Sequence, residues 1–110
     1  MEYYYKDGVI HEDSEYGNAI GNIDNGVIRD GWCIGSGNAL GNVDNGVIRD
    51  GWCIGNGNAI GNVDGNTIRD GWCQGNGSEI GNARDYIIHG MEDRPAEMVA
   101  CWHFLISKIF

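Results

Sequence analysis

The sequence predicts a mainly β fold: about five β-hairpins from a twenty-residue repeat, arranged as a radial meander and followed by one C-terminal α-helix. Three observations carry that expectation. Residues 25–44 and 45–64 differ only at Ser36/Asn56 and Leu40/Ile60, so one supersecondary unit is used several times over. Asn25-Gly26 and Asn45-Gly46 stand between apolar-containing runs, and Asn-Gly is favoured in two-residue type I′ turns because both central residues need positive φ. Beyond Gly90 the repeat stops, and apolar residues recur at helical spacing.

Taken in order, Tyr3-Tyr4-Tyr5 reads as a strand because aromatics fit a pleated surface, and Asp7-Gly8 as a turn into a second strand, Val9–Glu12. This is a degenerate first copy of the unit, two residues shorter, with the length change absorbed in the loop Asp13–Tyr16. The two near-identical copies follow. In the next copy the turn reads Gly65-Asn66, an inversion that a type II′ turn accepts without changing loop length. Asp85-Tyr86, in the last copy, is poorer turn chemistry. A two-residue loop at Asn45-Gly46 sets Val43 opposite Ile48, Asn42 opposite Arg49 and Asp44 opposite Val47; carried further, it sets Gly41 opposite Asp50 and Ala39 opposite Trp52. Between hairpins, Gly51–Asn58 is dense in Gly and Asn and marks a reversal.

The hairpin domain is expected over residues 1–92 and the helical segment over 93–110, packed on that domain or on a partner subunit. Asp93 or Arg94 caps the helix, Pro95 lies in its first turn and Glu97 near its positive end. Met98, Cys101, Trp102, Leu105 and Ile109 form a stripe that Val99, Ile106 and Phe110 widen.

The alternative to a radial arrangement is a stacked β-solenoid. Stacking would put Asp30, Asp50 and Asp70 in one column, and like charges directly opposite destabilise a sheet, so the radial form is preferred. The blocks Val9–Glu12 with Gly17–Asn22, Val27–Asp30 with Gly37–Asn42, Val47–Asp50 with Gly57–Asn62, and Thr67–Asp70 with Gly77–Asn82 carry a resemblance. Their pattern, V-I-[R/H]-[D/E] then G-[N/S]-x-[I/L]-G-N then a turn, resembles the short repeats of the four-fold β-flower proteins. Those are small bacterial domains whose hairpins radiate around an axis. The resemblance implies that fold and no catalytic residues; the inserted Gly-Trp-Cys and the C-terminal helix depart from it.

Composition excludes several functions. Sixteen acidic against seven basic residues give a net charge of −9, which repels phosphate backbones and anionic membrane surfaces, so no nucleic-acid partner is expected. The apolar run Met98–Phe110 is broken by His103 and Lys108 and is too short for a membrane span. Met1 is followed by neither a basic nor an apolar leader segment, so the reading expects a cytoplasmic protein with reduced thiols.

The candidate site residues are rows that recur with the repeat. Cys33, Cys53 and Cys73 have no Cys-x-x-Cys spacing and no histidine in register, so they are expected as small core hydrophobes and not as a metal site. Trp32, Trp52 and Trp72 are expected to cover backbone left bare by glycine, with a stacking platform for sugars or bases as the alternative. Arg29, Arg49 and Arg69 are expected to pair with Asp30, Asp50 and Asp70 of neighbouring units, unless the carboxylates cap turns. Trp102 completes the set as the helix's largest side chain. There is no EF-hand order of carboxylates, nucleophile elbow or phosphate loop, so no cofactor, metal or catalysis is expected. The leading expectation is a non-enzymatic scaffold that associates with itself or with a protein partner. The rival is a small-ligand or glycan-binding module using the Trp row.

Overall fold

The computed structural model describes residues Met1–Phe110. The chain forms ten strands, β1 (Tyr3–Lys6), β2 (Val9–Glu12), β3 (Ala19–Asp24), β4 (Val27–Arg29), β5 (Ala39–Asp44), β6 (Val47–Arg49), β7 (Ala59–Asp64), β8 (Thr67–Arg69), β9 (Glu79–Asn82) and β10 (Ile88–His89). A helix follows, α1 (Pro95–Cys101), which continues as a π turn over Trp102–Ile106. The strands make one sheet in the order β10-β1-β2-β3-β4-β5-β6-β7-β8-β9. Every pair is antiparallel except β1 with β10, which run parallel. This is a meander of hairpins with one helix. A solenoid would pair each residue with its copy twenty places on; here Val27 faces Asn42 and Val47 faces Asn62.

Turn chemistry sets the register. Asn25 and Gly26 have φ of +51° and +80°, and Asn45 and Gly46 +52° and +80°, as a type I′ turn requires. In the inverted turn only Gly65 is positive, at +62°, as in type II′. Across the turn at Asn45-Gly46, Val43 faces Ile48, Asn42 faces Arg49 and Asp44 faces Val47, as the two-residue loop dictates. The pairing goes no further: Gly41 faces Ile28 of β4, and Trp52 lies outside the sheet. The expected base pairs, Gly41 with Asp50 and Ala39 with Trp52, do not form, because the chain leaves the ladder after Arg49.

On the other side of each long strand the register slips. Ile28 faces Gly41 but Arg29 faces Ala39, so Leu40 is left over as a bulge; Ile20, Ile60 and Ile80 are skipped in the same way. One bulge per unit bends the sheet and adds twist at a fixed interval. One side of the sheet holds the core. Ile10, Ile28, Ile48, Ile68 and Ile88 are fully buried there with Ile23, Val43, Val63 and Ala83, and Met91, Met98, Val99, Ala100 and Cys101 fill the middle.

The segment after α1 seats its large side chains on the repeat's glycines. Leu105 lies on Gly21, the Phe104 ring on Gly41 and the Phe110 ring on Gly61, each occupying space a Cβ would need. Trp102 packs edge-on against Tyr3 and Tyr86, with ring centres 5.3 and 5.6 Å away. Arg94 stands at the N-cap without a side-chain cap bond and lies over the Tyr5 ring at 4.4 Å. The predicted stripe holds as far as Leu105. Ile109 and Phe110 are not helical, because the π turn shifts the phase and Ser107 is extended, with φ −158° and ψ 150°.

Candidate surface grooves along the tryptophan row

The three longer linkers between hairpins, residues 30–38, 50–58 and 70–78, are built alike, and one buried asparagine organises each. Asn42, fully buried in β5, donates from Nδ2 to the carbonyls of Gly51 (3.1 Å) and Asn56 (3.0 Å), and its Oδ1 accepts from Gly55 N–H (3.0 Å). Asn22 and Asn62 make the equivalent three bonds to Gly31, Ser36 and Gly35, and to Gly71, Asn76 and Gly75. A side-chain amide with two donors and an acceptor satisfies backbone groups that a loop cannot pair internally. Asp30, Asp50 and Asp70 close each loop by accepting from the N–H of Asn38, Asn58 and Ser78 at 2.7–2.8 Å.

These clamps push the tip of each loop outward. Trp32, Trp52 and Trp72 are 82, 80 and 79% exposed, and Cys33, Cys53 and Cys73 are also exposed. The expected burial of both rows is therefore wrong. Apolar character alone suggested a core position, whereas the Gly-flanked segment that carries them has left the sheet and turns its side chains to solvent. The four cysteines are free thiols, and Cys101 alone is buried, where desolvation pushes its thiol far up. Asn56 and Asn76 donate Nδ2–H to the sulfurs of Cys53 and Cys73, while Ser36 replaces that amide beside Cys33.

Each indole borders a groove whose other wall belongs to the preceding unit. Trp32 faces Gly17, Asn18 and Ala19; Trp52 faces Arg29, Gly37, Asn38 and Ala39; Trp72 faces Arg49, Gly57, Asn58 and Ala59. Their volumes are about 500, 530 and 570 Å³. Arg29, Arg49 and Arg69 do not pair with aspartate, which corrects the expected ion pairs. Nη1 donates instead to the carbonyls of Gly37, Gly57 and Gly77 (3.1–3.4 Å), while Nε–H is buried without a partner in all three. The ion pairs of the chain lie elsewhere, at Lys6–Asp7, His89–Glu2, His89–Glu92 and Arg94–Asp93. Local geometry explains this, since the backbone carbonyl lies nearer than any carboxylate. In the first unit His11 takes the arginine's place, its Nδ1 2.8 Å from Gly17 O. After the fourth unit the row ends: Glu92 stands twenty residues beyond Trp72, in the tryptophan's place in the repeat.

A second recess lies beside the segment after α1, between Leu40, Ile60, Phe104 and Phe110. His103 stands in it, its Nδ1 accepting from the N–H of Ile109 (3.0 Å) and of Phe110 (3.4 Å). Burial, then the charge of Lys108, holds its pKa below the ordinary value. Asp50 also borders this recess.

The buried asparagines are the residues that sequence reasoning missed. Their signal was present, as an asparagine recurring at 22, 42 and 62 between a glycine and a β-branched apolar residue. No group of three or more His, Cys, Asp or Glu side chains is arranged to hold a metal ion, and no helix is long and apolar enough to cross a membrane. No protein-family model, curated protein or solved structure matches the chain.

Proposed function

We propose that this protein is a non-enzymatic glycan-binding module whose sites are the grooves beside Trp32, Trp52 and Trp72. The observation that carries the reading is three indoles at equivalent positions, each about four-fifths exposed, each beside a groove. A flat indole face suits the C–H face of a pyranose, and large apolar side chains held out of the core in a row need a partner. Asn38 and Asn58 use only backbone atoms in the loop's hydrogen bonds, which leaves their side-chain amides for sugar hydroxyls. Bases would stack equally well, but a chain of net charge −9 repels the phosphates they come with, which favours an uncharged ligand.

The test is an isothermal-calorimetry titration with methyl glycosides of glucose, galactose, mannose, xylose and N-acetylglucosamine and with their tetrasaccharides. Saturable heat of binding is expected with at least one sugar. It should be lost in the triple variant Trp32→Ala, Trp52→Ala, Trp72→Ala, whose melting temperature should match the parent because these side chains are not in the core. No response across the panel overturns the reading.

Association with a second copy or a protein partner through the same row is the second reading. It is favoured by Ile34 and Ile54, which follow Trp32 and Trp52 by two residues in the same linkers and are 53 and 50% exposed. Light scattering separates the two. A dimer of the parent that the triple variant abolishes, with no sugar response, supports association.

A further inference from the structure

We infer that the target is a repetitive glycan chain held by neighbouring grooves at once, and not a single small sugar; the inference rests on the carbohydrate reading above. Two features of the row point to it. The grooves beside Trp52 and Trp72 are walled by the same residues, Arg-Gly-Asn-Ala and Trp, and the two positions at which the copies differ fall outside both walls. Identical sites one repeat apart fit a ligand that itself repeats.

The grooves also follow one another in chain order. Strand order around the sheet is chain order, so adjacent grooves are separated by two strands, about 10 Å at the sheet. That is about the advance of a disaccharide along an extended chain, so alternate sugars meet successive indoles. Each groove is shallow and open and leaves most of a bound sugar in water, so one site alone binds weakly. A chain already held by one groove reaches the next at high effective concentration, which raises affinity by about 10²–10⁴-fold with no new kind of contact. The loops are clamped by Asn22, Asn42 and Asn62, so little ordering opposes the second contact.

The row has a middle and two ends, since its first wall lacks the arginine and Glu92 replaces a fourth indole in the repeat. Silencing the middle site therefore differs from silencing an end. With Trp52 gone, the surviving grooves are two repeats apart and need the first and fifth sugars of a chain. With Trp72 gone, the first two grooves remain neighbours.

The experiment compares the parent, Trp52→Ala and Trp72→Ala, titrating whichever methyl glycoside of the panel binds and then its tetrasaccharide, which reaches adjacent grooves only. The parent should bind the tetrasaccharide about 10²-fold or more tightly than the monosaccharide. Both variants should lose one monosaccharide site of three. Trp52→Ala should bind the tetrasaccharide no better than a monosaccharide, while Trp72→Ala keeps at least a tenfold preference for it. Equal per-site affinities in the parent, or equal tetrasaccharide losses in the two variants, overturn the inference and leave a small-sugar module standing. Failure of monosaccharide and tetrasaccharide alike overturns both.

Discussion

Replacing Asn42 with alanine tests whether one buried amide holds a functional loop. The side chain makes three hydrogen bonds of 3.0–3.1 Å to Gly51 O, Asn56 O and Gly55 N–H, and it is fully buried. Each such bond contributes about 1 kcal/mol net, so Asn42→Ala should cost about 3 kcal/mol. Water entering the opened loop rehydrates the orphaned groups and keeps the cost from rising much further. In a domain of roughly this size 1 kcal/mol lowers the melting temperature by about 4–8 °C, so a fall of more than about 10 °C is expected in a calorimetric or circular-dichroism melt. Asn42→Asp should be at least as severe, because its carboxylate can still accept from Gly55 but faces two carbonyl oxygens. Hydrogen exchange at Gly55 should accelerate in Asn42→Ala, and the Trp52 groove should lose its sugar response in both variants. Asn82 is the internal control: its Oδ1 accepts only from Arg84 N–H, so Asn82→Ala should cost about 1 kcal/mol. A melting temperature for Asn42→Ala within about 2 °C of the parent would refute the argument that the amide, and not packing, holds the loop.

Three further outcomes follow from other parts of the molecule. Gly41→Ala and Gly61→Ala should each destabilise by about 1–3 kcal/mol in denaturant melts, because the new methyl overlaps the Phe104 or Phe110 ring; Gly81→Ala, with its nearest neighbour 3.7 Å away, should be close to neutral. A maleimide should label three thiols of the folded chain rapidly, at Cys33, Cys53 and Cys73, and Cys101 only after denaturation; labelling of all four at one rate would show that α1 does not bury its cysteine. The lowered pKa of His103 means the unfolded chain takes up its proton first. The stabilisation is therefore complete above the ordinary histidine value of 6.5 and is lost as pH falls below it through the folded-state value. Protection of the Ile109 and Phe110 amides from exchange, taken relative to the unstructured rate at each pH, should fall over that window as Nδ1 stops accepting, and pH-independent protection would show that the ring does not hold this segment.

What was legible in the sequence is what local chemistry decides. The type I′ turns, the inversion to type II′ at Gly65 and the facing of Val43 and Ile48 all follow from dipeptides whose φ requirements leave few choices. The helix start at Pro95 is of the same kind. Where the hairpins end was not legible, because that is decided by Asn42 reaching nine to fourteen residues along the chain to pull Gly51–Asn56 out of the ladder. The tryptophan and cysteine rows were misplaced for that reason, since an apolar residue reads as core unless the loop that carries it is known to leave the sheet. The glycines at 21, 41 and 61 were visible as a row, but their use as seats for Leu105, Phe104 and Phe110 needs the far segment folded back over them.

The parallel pairing of β1 with β10 bears on how the chain reaches its structure. Tyr3 meets Ile88 and Tyr4 meets His89, contacts 85 residues apart in sequence, whereas every other pairing joins consecutive strands. Local hairpins form early and cheaply in loop entropy, and contacts of long separation form late. Residues 25–44 and 45–64 are so alike that either can pair where the other belongs. A nascent sheet can therefore skip or exchange a unit at little local penalty, a hazard of near-identical neighbours. Only unique sequence can proofread such an error, and it sits at the two extremes: the Tyr3–Tyr5 strand and the segment from Met91 onward, whose Leu105, Phe104 and Phe110 each meet one glycine seat, at Gly21, Gly41 and Gly61. An assembly with a unit out of place presents those side chains with the wrong spacing and does not close.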